Sequence, residues 1–145
     1  MLAGEISEDT HGAGNAMLAK IKANAELANQ QFLKISDVEF GYNTQSVRWL
    51  DGYIERQRAR PETDDNKVEQ LVGVLGCWLG ECIIACYGGE WAEIEGEWGV
   101  RFDESNAAFP FSKVKKHFQN GSSDSVLSFF ETILIVFSEQ LKKPT

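Results

Sequence analysis

Apolar residues recur at helical spacing in five segments of the chain and alternate with polar residues in one region. The most apolar segment, residues 66–87, is hydrophobic on nearly all sides, which predicts a central helix buried on more than one face. Gly73, Gly76 and Gly80 lie within it, and each costs up to about 1 kcal/mol relative to alanine in a helix. We therefore expect another part of the backbone to pack closely against these glycines.

Four further helices are predicted over residues 15–33, 44–58, 110–120 and 122–141. The expected N-terminal caps are Thr44 or Ser46 for the second helix, Asn66 for the central helix, and Ser122 or Ser123 for the last. Residues 1–14 contain three glycines and few apolar residues. We expect them to form a flexible leader, followed by a single domain over residues 15–145.

A meander is predicted between the central helix and the fourth helix. The predicted strands are residues 91–94, 98–102 and 107–109. Gly88 and Gly89 end the central helix, and Trp98, Val100 and Phe102 fall on one face of the second strand, toward that helix. The predicted fold class is α+β, with about five helices packed around a three-stranded antiparallel meander. The expected core is Leu75, Leu79, Ile83, Trp98, Val100, Phe102, Phe109, Phe130 and Ile133.

Negative charge is concentrated in the middle of the chain. The 145 residues suit one domain and carry a net charge of −8. Residues 61–112 alone contain eleven acids and two Lys or Arg, a net charge of −9. Nucleic acids and anionic membranes repel such a surface, so we expect neither as a partner. A basic partner protein is favoured instead.

All three cysteines, Cys77, Cys82 and Cys86, lie in the predicted central helix. Cys82 and Cys86 are one turn apart, which is a poor placement for a disulfide within one helix. We expect all three thiols to be reduced, at least two to be buried, and the protein to be cytoplasmic. No signal peptide is visible, and polar residues interrupt the longest apolar stretches, which argues against a membrane span.

Several motifs occur in order along residues 46–137: LGCWLGE, GGEW, GVRF, AAFPFSKVKKHF and, after a glycine, DSVLSFF. In this order they resemble a family of small bacterial domains of unknown function. Those domains show a buried helix with an L-G-x-x-L-G-E motif, a meander led by Trp, a Phe-Pro step and a helix bearing lysines. The resemblance carries no established activity. The chain is also similar to the immunity proteins that accompany bacterial toxins, in its size, acidity and lack of catalytic motifs.

Glu81 is the most conspicuous ionisable residue, because it lies inside the most apolar helix. An ionised carboxylate in such a place needs a polar partner. Two interpretations are open. Glu81 is either an acid/base or ligand anchor in a pocket, or a structural residue that bonds to a backbone group, to Arg101 or to Lys113, or faces solvent. We favour the structural interpretation, because structural networks also use buried carboxylates.

The other candidate clusters have structural alternatives too. Cys82 and Cys86 have no histidine at ligand spacing, so we interpret them as small buried side chains and predict no metal site. Lys113 and His117 are one turn apart and suit an anion site or a solvated helix face, of which we favour the second. Phosphate loops, nucleophile elbows and zinc-protease motifs do not occur. We predict no catalytic residue, no cofactor and no enzymatic activity.

The acids of the predicted meander are the strongest candidates for a binding surface. They are Glu90, Glu93, Glu95, Glu97, Asp103 and Glu104, and with Arg101 they give residues 90–104 a net charge of −5. Their spacing lacks the central glycine of a calcium loop. The run therefore forms either a docking surface for a basic protein or a solubilising surface. In the first case Trp91 is the expected anchor, because it shares a strand face with Glu93 and Glu95, unless that ring turns inward.

These observations favour a non-enzymatic protein-binding module. The most concrete form of this hypothesis is an immunity-type protein that neutralises a bacterial toxin or effector by docking an acidic surface on it. The alternative is a small-molecule-binding domain with a pocket near Glu81. The identity of the partner and the oligomeric state do not follow from the sequence.

Overall fold

Five helices and a small antiparallel sheet form the fold in the computed structural model, which describes the backbone of residues 2–142 and the side chains of residues 14–136. The helices are α1 (Leu2–Ile35), α2 (Thr44–Arg58), α3 (Asp65–Tyr87), α4 (Pro110–Asn120) and α5 (Val126–Lys142). The strands are β1 (Glu90–Ile94), β2 (Glu97–Arg101) and β3 (Ala107–Ala108), and a 3₁₀ turn (Gly121–Asp124) precedes α5. The predicted α+β class and the three-stranded meander are confirmed.

The sheet has the strand order β1-β2-β3 with antiparallel pairing throughout. β1 pairs with β2 over the full length of both strands. The loop between them is Glu95-Gly96, whose φ angles of 53° and 84° are the left-handed values that a tight hairpin needs at both positions. Glu95 is the one non-glycine residue with a positive φ among the described residues.

The central helix, α3, packs against α1 and against α4. Leu79 and Ile83 are fully buried, as is Trp78, whose Nε1 donates a hydrogen bond to Asn29 Oδ1 of α1 at 3.0 Å. Among the described helices, α3 is long and apolar enough to cross a membrane by length and composition, with a mean hydropathy of 1.5. Half of that window is buried inside the protein, and a buried core helix passes the same test.

Most of the predicted core lies where we expected it. Six of its nine members, Val100 on β2 among them, are at most 2% exposed. Trp98, Phe102 and Phe109 are half-buried instead. All three belong to the meander or to the residue that follows it, and so the small sheet covers one margin of the core.

Two glycines of α3 make room for aromatic rings from later elements. A Cβ atom on Gly80 would lie 2.1 Å from two ring carbons of Trp91, and one on Gly76 would lie 2.2 Å from the Phe111 ring. A Cβ atom on Gly73 would have no packing neighbour within 4 Å. The expectation of close backbone packing is therefore wrong. Side-chain rings occupy two of the three positions, and the third faces open space.

The predicted helix starts are displaced. α2 is capped by Asn43, α3 by Asp64 and α5 by Ser125, each accepting a hydrogen bond from the backbone N–H three residues further on, at 2.8, 2.9 and 3.2 Å. A neighbouring residue of an equally good capping type takes the predicted role in each case. α1 begins at Leu2, so it includes the backbone of residues 2–14, which we expected to precede the domain. The flexibility of that segment stays a prediction.

The two kinds of glycine environment in α3 predict opposite effects of alanine. Gly80→Ala should destabilise the protein by about 1–3 kcal/mol, because the new methyl group overlaps the Trp91 ring. Gly73→Ala should stabilise it by up to about 1 kcal/mol, because it improves helix propensity in open space. Urea unfolding followed by tryptophan fluorescence measures both. The difference between the two changes in the free energy of unfolding measures the contribution of the contact between Gly80 and the Trp91 ring. Equal changes in both variants would contradict that contact.

Candidate functional site

The acidic meander, defined as residues 90–104, exposes most of its carboxylates. The exposed acids are Glu90, Glu93, Glu95, Asp103 and Glu104. Glu97 is half-buried and accepts a hydrogen bond from Ser112 Oγ of α4. Five of the six predicted acids are thus open to a partner, and the sixth ties β2 to α4.

The exposed acids form two groups at opposite ends of β1. The hairpin group is Glu93 and Glu95, and the base group is Glu90, Asp103 and Glu104, where β1 begins and β2 has ended. A five-residue strand spans about 13 Å, more than the Debye length of about 8 Å at physiological salt. The two groups therefore act as separate charged ends. Arg101 is exposed and pairs in register with Glu90, which lowers the charge of the base group.

Asp103 also holds the turn between β2 and β3. Its Oδ1 accepts hydrogen bonds from Ser105 N and Asn106 N, both at 2.8 Å, and both of its oxygens accept from Asn106 Nδ2. The Asn106 side chain, followed by the Ser105 N–H, stabilises the charged form and lowers the pKa of Asp103. The base group therefore stands on a backbone with a defined shape.

Trp91 turns inward, which corrects its predicted role as a surface anchor. The side chain is 9% exposed, packs on Gly80, and lies 5.8 Å from Phe111 between ring centroids. Its Nε1 donates a hydrogen bond to Glu81 Oε2 at 2.8 Å. The same bond gives Glu81 a structural partner, the indole, where we expected a backbone group, Arg101, Lys113 or solvent.

Lys113 forms an ion pair and a ring contact within the fold, and no hydrogen bond or ion pair of the described residues joins it to Glu81. Its Nζ pairs with Asp124 Oδ1 at 3.1 Å and lies 5.8 Å from the centroid of the Phe129 ring. Hydrogen bonds from the Asn120 side chain and from Lys113 lower the pKa of Asp124. Lys113 therefore ties α4 to the 3₁₀ turn and to α5.

A buried polar cluster, which we did not predict, connects α2, α4 and α5. His117 is fully buried, with Nε2 2.7 Å from Glu55 Oε2 and Nδ1 accepting a hydrogen bond from Val126 N at 3.2 Å. Because Nδ1 accepts a hydrogen bond, it carries no hydrogen. The ring hydrogen is therefore on Nε2, which donates a hydrogen bond to Glu55 Oε2. The predicted solvated face with Lys113 and His117 is therefore wrong, since this side of α4 packs inward.

Asp51 completes the cluster. Its Oδ2 accepts hydrogen bonds from Ser125 Oγ and from Leu127 N, the latter at 3.1 Å. Together with His117 and Ser125, it supplies an acceptor to each backbone N–H of residues 126–128, the first turn of α5. The Ser125 hydroxyl donates to Asp51 and not to the imidazole, so the arrangement caps a helix and does not activate a serine nucleophile.

An apolar cavity of about 320 Å³ lies between α1 and α3. Its apolar wall includes Ile21, Val74, Trp98 and Phe111, and its lining also contains one cation, Lys20, and one anion, Glu69. A larger cavity of about 510 Å³ lies where α2, α3 and α4 meet and has a mainly polar lining. The apolar cavity is on the part of α3 that precedes Glu81, and Glu81 is not among its lining residues.

Within residues 14–136, no three His, Cys, Asp or Glu side chains come close enough together to hold a metal ion.

Comparison of the chain with protein families, with curated proteins and with solved structures finds no match. The resemblance to small bacterial domains and to immunity proteins stays a prediction.

The capping cluster predicts a large effect at Asp51. Asp51→Ala should destabilise the protein by about 1–3 kcal/mol, because the Leu127 N–H and the Ser125 hydroxyl lose their acceptor. Asp37→Ala removes an exposed acid between α1 and α2 and should change stability by less than about 0.5 kcal/mol. Chemical denaturation of both variants measures the difference. A harmless Asp51→Ala would mean that other groups satisfy the start of α5.

Proposed function

We propose that the protein is a non-enzymatic module that binds a basic partner protein through the acidic meander. In its most concrete form, it is an immunity-type protein that neutralises a bacterial toxin or effector. The observation that carries this proposal is the exposure of five carboxylates on a backbone fixed by strand pairing and by the Asp103 turn. A fixed array of like charges attracts a basic surface before contact and needs little ordering when it binds.

Attraction of this kind favours fast association more than tight binding. A net charge of −5 over residues 90–104 speeds the encounter with a basic surface, by about 10- to 1,000-fold at low salt. Fast capture suits a protein that has to occupy a harmful enzyme before that enzyme acts. The partner class that this chemistry recognises is a protein with a Lys- and Arg-rich surface.

The hairpin group is the better centre for this docking surface. Glu93 and Glu95 are both exposed there, and the residue opposite Glu93 in the strand register is Trp98, which carries no charge. At the base group, Arg101 lies opposite Glu90 and repels a basic partner.

Charge reversal at the hairpin group tests the proposal. Glu93→Lys with Glu95→Lys should slow association with the partner by about tenfold or more at low salt and flatten its salt dependence. The melting temperature should barely change, because both side chains are exposed. The partner is isolated by affinity capture from the native cell, and association is followed by stopped-flow fluorescence.

Two double variants with the same charge change provide controls. Asp37→Lys with Glu39→Lys reverses two exposed acids between α1 and α2, and Glu90→Lys with Glu104→Lys reverses the base group. Only the hairpin variant should show the full loss of rate. Equal association rates in all three variants would exclude the acidic meander as the docking surface. The face of α2 that bears Arg48 and Arg56 would then become the candidate docking surface.

The second candidate is a small-molecule-binding domain, which the apolar cavity between α1 and α3 favours. Its size suits a small ligand, and its aromatic walls suit an aromatic compound, with Lys20 and Glu69 as polar partners of opposite charge. Gly73 lines this cavity and has open space beside it. A side chain at Gly73 would therefore occupy the volume that a ligand needs.

Filling the cavity discriminates this candidate. If it binds ligands, the wild-type protein should bind a fluorescent aromatic dye, and Gly73→Leu should weaken that binding by about tenfold or more through steric exclusion. Gly73→Ala is the matched control and should keep most of the affinity. Dye fluorescence titration measures all three proteins. An equal affinity in the leucine variant would remove the cavity as a site.

A further inference from the structure

Two thiols of different exposure lie side by side at the end of α3. Cys82 is fully buried, whereas Cys86, one helical turn later, is exposed. Their sulfur atoms lie beside successive carbonyls of one connection, Cys82 at 3.8 Å from Asn43 O and Cys86 at 3.6 Å from Tyr42 O. Two of the three cysteines, Cys77 and Cys82, are buried, as predicted, whereas the interpretation of Cys86 as a small buried side chain is wrong because it lies at the exposed end of α3.

The two thiols also differ in acidity. A hydrogen bond from the Cys82 thiol lowers the pKa of Cys86 from 9.0 to about 7, against the effect of partial burial. The same bond and burial raise the pKa of Cys82. Cys86 is therefore the more acidic thiol of the pair, and it is also the one that solvent reaches. Cys77 differs in both respects, because it is buried and burial raises its pKa to about 11.

We propose that Cys82 and Cys86 form a reversible dithiol–disulfide couple, in which peroxide oxidises Cys86 and Cys82 resolves the product. This proposal does not rest on the docking function proposed above. Exposure selects Cys86 for the first step, and its adjacent buried thiol provides the second.

The chemistry balances with hydrogen peroxide as the oxidant. The Cys86 thiolate attacks one peroxide oxygen, so that an S–O bond forms, the O–O bond breaks and hydroxide leaves. The Cys82 sulfur then attacks the sulfenic sulfur of Cys86. An S–S bond forms, the S–O bond breaks, and the hydroxyl leaves with the thiol proton as water. In sum, two thiols lose two electrons and two protons, and one peroxide becomes two waters.

The helix end makes this disulfide possible and also makes it reversible. Residues one turn apart in a helix have Cβ atoms about 5–6 Å apart, whereas a disulfide needs about 3.5–4.5 Å. The last turn of α3 must therefore loosen. Only Tyr87 follows Cys86 in the helix, and Gly88 and Gly89, with φ of 87° and 99°, provide a flexible hinge. A disulfide under such strain is readily reduced.

Peptide mapping of the full-length protein tests the proposal. Cleavage after Glu69, Glu81 and Glu90 places Cys77 in residues 70–81 and both members of the couple in residues 82–90. After treatment with hydrogen peroxide, the 82–90 peptide should be lighter by two hydrogens, and dithiothreitol should restore its mass. At pH 7 the folded protein should react roughly five- to tenfold faster than the urea-unfolded chain, from the higher thiolate fraction offset by lower nucleophilicity.

Three variants separate the roles of the thiols. Cys86→Ser should abolish the fast reaction, Cys82→Ser should leave Cys86 as a sulfenic acid that dimedone traps, and Cys77→Ser should react as the wild type does. The wild-type map alone overturns the proposal if it shows a disulfide through Cys77, a dimer linked through Cys86, or an oxidised Cys86 beside a reduced Cys82. Equal rates in folded and unfolded protein would also overturn it.

Discussion

The contact between the Trp91 ring and Gly80 determines how the sheet lies on α3. Since Gly80 has no side chain, the ring reaches the helix surface itself, where a Cβ atom would be 2.1 Å away. The indole Nε1 then meets Glu81, the one carboxylate of the apolar half of α3. A single side chain from β1 therefore fills a gap in the helix and satisfies its charged residue. The orientation of β1 follows, with the Trp91 side of the strand turned toward α3. Glu93 lies on that same side by alternation and is exposed nonetheless, because it is near the hairpin end of the strand.

The other half of the core is held together differently. Around α3 and the sheet, rings pack against glycines, whereas α2, α4 and α5 meet at a buried polar cluster. Burying His117 is favourable only because both of its ring nitrogens have partners, one of them the first N–H of α5. Helix ends cannot satisfy their own N–H groups. The start of α5 is therefore specified by side chains from two other helices.

Element types could be predicted because each apolar stripe repeats over many residues, but single positions could not. Capping residues occur in tandem, as in Asp64-Asp65-Asn66, and local sequence does not decide among equally good caps. Strand alternation places Trp91 and Glu93 on one face without saying which face turns inward. The neighbouring lysines of α4 predict a surface position for His117, although Val114, three positions earlier on the same stripe, is buried. Helical spacing was the better guide there.

The thiol couple, Cys82 and Cys86, lies just before the acidic meander along the chain. The contacts of Tyr87 and Trp91 limit how far a structural change at Cys86 extends into the meander. Loosening the last turn of α3 displaces residues 84–90. It also breaks the hydrogen bond of 2.9 Å that Gly88 N donates to Ile84 O. Tyr87 opposes that movement, because its hydroxyl donates to Phe130 O at 3.0 Å. Beyond Glu90, the Trp91 ring is anchored on Glu81. A change at Cys86 therefore reaches the base group of acids, while the hairpin group lies beyond the anchor and keeps its position.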